Sequence, residues 1–276
     1  MKSKLKSRGK QLLLSLLGGV LASVVASFVF YLMQKQEGRP IFDVLIDFFS
    51  ALLNFNELWI RGLLITLLRF LAGFAIALCL GVILGLGMGR FEAIERIFKV
   101  LVNVLRPIPS AAVIPLAMII FPLTGNPIKI FIIAYGALWP MLYSVYKGAQ
   151  DIDAMLVDTG RTLGKSEKDI FIDIVFPATL PAIMTGARVG LGIGLLLAVT
   201  AEMLSMGDQT GIGYLIIDYE RSFKFPAMFA AVILLGIVGW VLDIIFGWLE
   251  DKILYWHPRT QRGKTLLLGV EDSNAN

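Results

Sequence analysis

Long apolar runs punctuated by short polar stretches run through this chain. A helix needs about 20 apolar residues to cross a hydrocarbon core, and about six stretches reach that length. They extend from Leu12 to Met33, Gly62 to Met88, Val100 to Phe121, Ile128 to Tyr146, Ala182 to Met206 and Ala227 to Leu249. An even number of spans puts both termini on one side. Lys and Arg crowd into the N-terminus (Lys2, Lys4, Lys6, Arg8, Lys10), the connection with Arg90, Arg96 and Lys99, the stretch 150–181 and the tail, so that face is assigned to the cytoplasm. The predicted organisation is a basic cytoplasmic N-terminus (1–11), a first span (12–33), an outer amphipathic connection (34–61), a transmembrane core (62–249) and a cytoplasmic tail (250–276).

The stretch 150–181 is a polar island. From Asp151 the apolar residues Ile152, Met155, Leu156 and Leu163 share one helical face, and Gly164 is expected to stop the helix. Ser166 and Asp169 form a shortened capping box for a second helix, with Ile170, Phe171, Ile174 and Val175 as its apolar residues and Pro177 as its end. A helix-glycine-helix element beside a membrane suits docking of another protein. Gly160, Gly164, Lys165 and Ser166 also imitate a phosphate-binding loop, but that motif needs four residues between its glycines and a preceding strand. Here the glycines are separated by only three residues, in a helical pattern.

Inside the spans, Gly81, Gly85 and Gly89 recur every fourth residue, as do Gly186, Gly190 and Gly194. Each triplet leaves one smooth helix face, and the two helices are expected to pack closely on each other. Pro107, Pro109, Pro115 and Pro122 break up the third span, and irregular backbone at membrane depth survives only when buried in protein or lining a cavity. That span is therefore a candidate pathway wall. Arg69, Arg188, Glu202 and Asp243 are charges within apolar runs, where each is costly. For Arg69 and Arg188 snorkelling to headgroups is the plain alternative; Glu202 either pairs with a basic residue to hold helices together or shapes the outer mouth.

Composition narrows the function classes. Of 276 residues, 57% are hydrophobic and 17% charged, with a mean hydropathy of +0.77, well beyond a soluble domain. One cysteine, Cys79, and one histidine, His257, leave no disulfide framework, metal centre or His-based catalytic constellation. The net charge of +4 suits anionic lipid and topology rather than nucleic acid.

The polar island resembles the cytoplasmic loop of permease subunits in binding-protein-dependent ABC importers. Gly164, nine residues, Ile174 and then Pro177 reproduce that family's spacing, while Asp158, Thr159 and Gly160 stand where its EAA triplet is expected and Phe176 replaces a leucine. The segments LLRFLAGFAIALCLGVILG, LRPIPSAAVIPLAMIIF and AEMLSMGDQTGIGYLI, in this order, are similar to the nitrate, sulfonate and taurine branch, so the resemblance spans roughly Leu58 to His257. It implies an all-α membrane protein with the type I ABC importer permease fold. It further implies a homodimer in the inner membrane, two ATPase subunits that hold ATP and Mg²⁺ and dock Asp158, Thr159, Gly160, Arg161 and Gly164, and an external solute-binding protein. The permease itself binds no cofactor or metal and makes no covalent bond. Its cargo is expected to be a small solute, an anion or a vitamin precursor, and Arg69, Arg106, Pro107, Pro109 and Glu202 are candidate pathway or gate residues. The coupling subunit of an energy-coupling-factor vitamin importer is the alternative, without the glycine-to-proline spacing.

Overall fold

The computed structural model describes residues 57–256 except 122–124 and 205–208, together with Ile46 and Ser50. The expected first span, most of the connection 34–61, Pro122 and the tail from His257 lie outside the described residues.

Apolar length dictates the main helices. Helix α1 (Glu57–Arg90) begins five residues before the expected second span, with Arg61 paired to Glu57 one turn earlier. The expected third span is two elements at 90° to each other: α2 (Glu92–Leu105), and a 3₁₀ turn (Ser110–Val113) that leads into α3 (Ile114–Ile120). The reason is local. Pro107 and Pro109 cannot donate helical hydrogen bonds, and each drives its preceding residue away from helical backbone. Helix α4 (Asn126–Gln150) is the central element.

The polar island folds as α5 (Ala154–Thr162) and α6 (Glu167–Ile170). Pro177 does not end the second helix. A π-helical turn (Phe171–Val175) follows α6, and α7 (Phe176–Leu204) continues from it through Pro177 and Pro181. In the wide turn the Phe176 N–H bonds Phe171 O, five residues back, which relieves the crowding a proline causes in an α-helical turn. Helix α8 (Ile212–Arg221) and the long apolar α9 (Phe225–Ile253) complete the fold. Among the described residues four helical stretches, α1, α4, α6–α7 and α9, are long and apolar enough to cross a membrane, and the bent α2–α3 pair makes up to five.

The two glycine triplets do not meet each other as expected. A side chain at Gly85 would stand 2.7 Å from Val145 Cβ, and one at Gly89 2.5 Å from Ala149 Cβ, both on α4. Gly81, Gly186 and Gly190 all close on α4 around Met141, while Gly194 lies against Phe70 of α1. Helix α4 is thus clamped between α1 and α7, and 61% of its apolar stretch is buried, against 22% in α9. Small residues permit such close backbone approach. Sequence periodicity finds a smooth face but carries no label for the partner.

Candidate functional site

The polar hairpin is held by terminal chemistry. Asp153 accepts the Met155 N–H at 2.9 Å and starts α5. At the other end Gly164, at φ +76°, lets its own N–H bond Arg161 O and the Lys165 N–H bond Gly160 O, the paired pattern of a Schellman motif. The capping box is present: Asp169 N–H bonds Ser166 Oγ, and Ser166 N–H bonds Asp169 Oδ2. Arg161 reaches Glu167 at 2.8 Å and Asp158 at 3.3 Å, bracing the two arms, and Lys165 pairs with Asp173, which pushes its ammonium above the ordinary value.

The apolar face read from the sequence divides, with Ile152 packed against the hairpin core and the rest outside. Val157 packs with Ile170 and Val175, and a side chain at Gly160 would stand 2.8 Å from Ile174 Cδ1. Gly160 thus occupies the tight crossing of the hairpin, with Ile174 over it. The expected apolar residues Met155 (72% exposed), Leu156 and Leu163 (74% exposed) point away from the hairpin's own core. Asp158 and Thr159 also remain exposed. Pro177 lies in the first turn of α7, where the hairpin joins that helix.

At the opposite end of the helices, Arg69 and Glu202 form a buried ion pair at 2.9 Å. Glu202 also accepts the Thr66 hydroxyl (2.7 Å) and the Gly213 N–H (3.0 Å). Thr66 in turn accepts the Ile212 N–H. The first amides of α8 are therefore aimed at a hydroxyl and a carboxylate, the favourable polarity for a helix N-terminus. Arg69 donates further to Asn126 Oδ1, Thr210 O and Thr210 Oγ1. Two glycines of the sequence TGIG are explained by this cluster. A side chain at Gly211 (φ +107°) would strike the Glu202 carboxylate at 2.2 Å, and one at Gly213 would meet Val199 O at 2.5 Å.

The five candidate pathway residues therefore divide. Arg69 and Glu202 are enclosed and bonded together, with side chains 4% and 0% exposed. Arg106, Pro107 and Pro109 lie at the α2–α3 break, where they are exposed. Helix α2 is docked on α4 by Tyr146 Oη to Glu95 (2.7 Å) and Tyr135 Oη to Leu105 O (3.1 Å), and the Arg106 guanidinium stacks 4.2 Å over the Tyr143 ring. Arg188 does not stand alone: it bonds Asp243 and Glu250 of α9, both at 3.0 Å. Lys129, near the start of α4, is wholly buried. Thr66, Asn126, Thr210 and Tyr143 escaped the sequence reading. Thr66 was detectable in principle, as a polar residue one turn from Arg69 in an apolar helix.

No group of three or more His, Cys, Asp or Glu side chains that could hold a metal exists among the described residues. Residues 77–255 match the family described as binding-protein-dependent transport system inner membrane component. A putative ABC transporter permease protein of Methanocaldococcus jannaschii is 35% identical over 79% of this chain and 80% of its own length. The nitrate import permease protein NrtB of Synechocystis is 35% identical over 68% of each chain. Among solved structures, a chain of the MetNI methionine ABC transporter in inward facing conformations matches at TM-score 0.61, covering 72% of this chain and 99% of that one at 19% identity. The clamped helices, the broken span and the capped hairpin thus belong to an inner membrane component of a binding-protein-dependent transport system, a multi-pass, non-catalytic ABC importer permease of the type I fold.

Proposed function

We propose that this permease imports a small oxyanion, of the nitrate or sulfonate kind, and that its polar hairpin is the element through which partner ATPases drive it. The observation that carries the coupling reading is the exposure of Met155, Leu156 and Leu163 on a hairpin capped at every helix end. Exposed apolar side chains on a rigid polar element are the signature of a docking surface. The hairpin end then faces the cytoplasm of an inner-membrane protein with both termini inside. Two ATPases, carrying ATP and Mg²⁺, seat the hairpins of two permease copies, and an external binding protein delivers the solute. A second copy is supported by the exposed break 106–109 and the exposed apolar residues Val100, Val104, Ile119 and Ile120, since irregular backbone at membrane depth needs protein or a water-filled cavity beside it.

The mechanical link is short. The second arm of the hairpin runs through the π turn into α7, and Glu202 lies 26 residues beyond Phe176, about 39 Å up that helix. ATPase closure moves the hairpin, α7 transmits the motion as a rod, and the two copies change their relative tilt. The cargo class rests on the nitrate relative and on the sequence resemblance to the nitrate and sulfonate branch.

Co-purification with the ATPase tests this. Met155→Asp with Leu163→Asp is expected to abolish capture without changing the melting temperature of the permease, since both side chains are exposed. Gly164→Val is expected to weaken capture by deforming the Schellman turn, because a β-branched residue at positive φ is penalised by about 1–2 kcal/mol. Gly164→Asn, which tolerates that backbone, should retain capture. Undiminished binding by the double aspartate variant would remove the docking assignment.

A further inference from the structure

We propose that Arg106, held over Tyr143 at the break between α2 and α3, is an oxyanion-binding residue of the permeation route. The inference rests on the anion reading above and deepens it by giving the cargo a contact. Other membrane-depth cations are spoken for: Arg69 by Glu202, Arg188 by Asp243 and Glu250. Arg106 is different. Its side chain makes no hydrogen bond or ion pair with the described residues, and lies against the Tyr143 ring.

Leu105 O is bonded by Tyr135, 15 residues or about 22 Å along α4 from the hairpin end at Gln150, and the Arg106 guanidinium lies over Tyr143, seven residues or about 10 Å from that end, so both stand within the helix's length. The backbone N–H of Arg106 closes α2 onto Val102 O, while its side chain leaves the helix end instead of bonding the final carbonyls. A cation with no carboxylate among the described residues, beside irregular exposed backbone, leaves its donors open to water, to an anion or to the second copy.

The geometry suits a particular ligand chemistry. Stacking on Tyr143 occupies one face of the planar guanidinium and leaves its edge, with five N–H donors, free. A nitrate or sulfonate presents two oxygens at the spacing of that fork. Chloride has no such pair. The contact is suited to transit: a single exposed arginine holds an anion without enclosing it.

The test uses the permease in phosphatidylcholine nanodiscs, alone and as the co-purified ATPase complex, with phenylglyoxal modification of arginine read peptide by peptide in a mass spectrometer. Arg106 is expected to react, and methanesulfonate or nitrate to slow its reaction about tenfold at roughly ten times the half-protecting concentration, by mass action. Chloride at equal ionic strength should not protect it, and the exposed Arg96 should react equally throughout. In Tyr143→Leu the half-protecting concentration should rise about two- to fivefold, the factor expected when a cation–π contact is lost. Absence of reaction at Arg106, or reaction indifferent to both oxyanions, overturns the proposal. Protection by phosphatidylglycerol in place of the added anions assigns the guanidinium to a lipid headgroup and also overturns it. Failure of the ATPase to co-purify falls on the importer reading, whereas the labelling result is obtained on the permease alone.

Discussion

Arg69→Met destabilises the folded chain by about 3–5 kcal/mol, the loss expected when one partner of a buried ion pair is removed. Glu202 has no exposed surface and would be left with only a hydroxyl and one amide as partners. The same substitution also removes the guanidinium donors to Asn126 Oδ1, Thr210 O and Thr210 Oγ1. Glu202→Gln should lose a similar amount by isolating the guanidinium. Replacing both residues with methionine, often neutral for a plain buried pair, should rescue this one only in part, because the buried Gly213 N–H would lose its carboxylate acceptor. The melting temperature of the detergent-solubilised permease, measured for wild type, both single variants and the double variant, reads these outcomes. A single variant within about 1 kcal/mol of wild type would show that the cluster does not hold α1, α7 and α8 together.

Gly85→Leu is the second large effect. Its Cβ alone would stand 2.7 Å from Val145 Cβ and 3.0 Å from Leu142 O, and the backbone oxygen has no rotamer with which to withdraw. The α1–α4 seam must open, at about 3 kcal/mol or more by the usual scale of overpacking. Alanine substitutions should rank in order of what the new methyl meets. Gly85→Ala is the most damaging. Gly190→Ala comes next, since its nearest neighbour is the flexible tip of Met141, and Gly192→Ala is tolerated because nothing lies within 4 Å. Resistance of the folded permease to limited proteolysis orders the three. An equal loss at Gly85 and Gly192 would mean that helix propensity, not close approach, sets the effect.

The hairpin shows how unevenly a site is legible. Gly164, Ser166 and Asp169 were readable because capping is local: the groups that bond are within five residues of one another. Pro177 misled because its effect depends on the turn before it, and a π turn removes the clash that makes proline a helix stop. The apolar residues of α5 were legible as a face, but not as buried or exposed. Periodicity marks an apolar face without saying whether it is buried in the same chain, and in α5 the chain buries Val157 and leaves Met155 and Leu163 outside.

By itself the sequence determined that the chain crosses a membrane on long apolar helices, that its third span is broken by proline, and that a capped helix-glycine-helix lies between two spans. Each of these follows from composition, length or hydrogen bonds between near neighbours. Only the tertiary structure decided that five of the six triplet glycines close on α4 while Gly194 meets Phe70 of α1, that Arg69 belongs to Glu202, and that Arg106 is left with an aromatic face instead of a carboxylate among the described residues. Those pairings join residues far apart in the chain. They are selected by which backbones approach closely enough and which buried charges must be neutralised, and no local pattern encodes either.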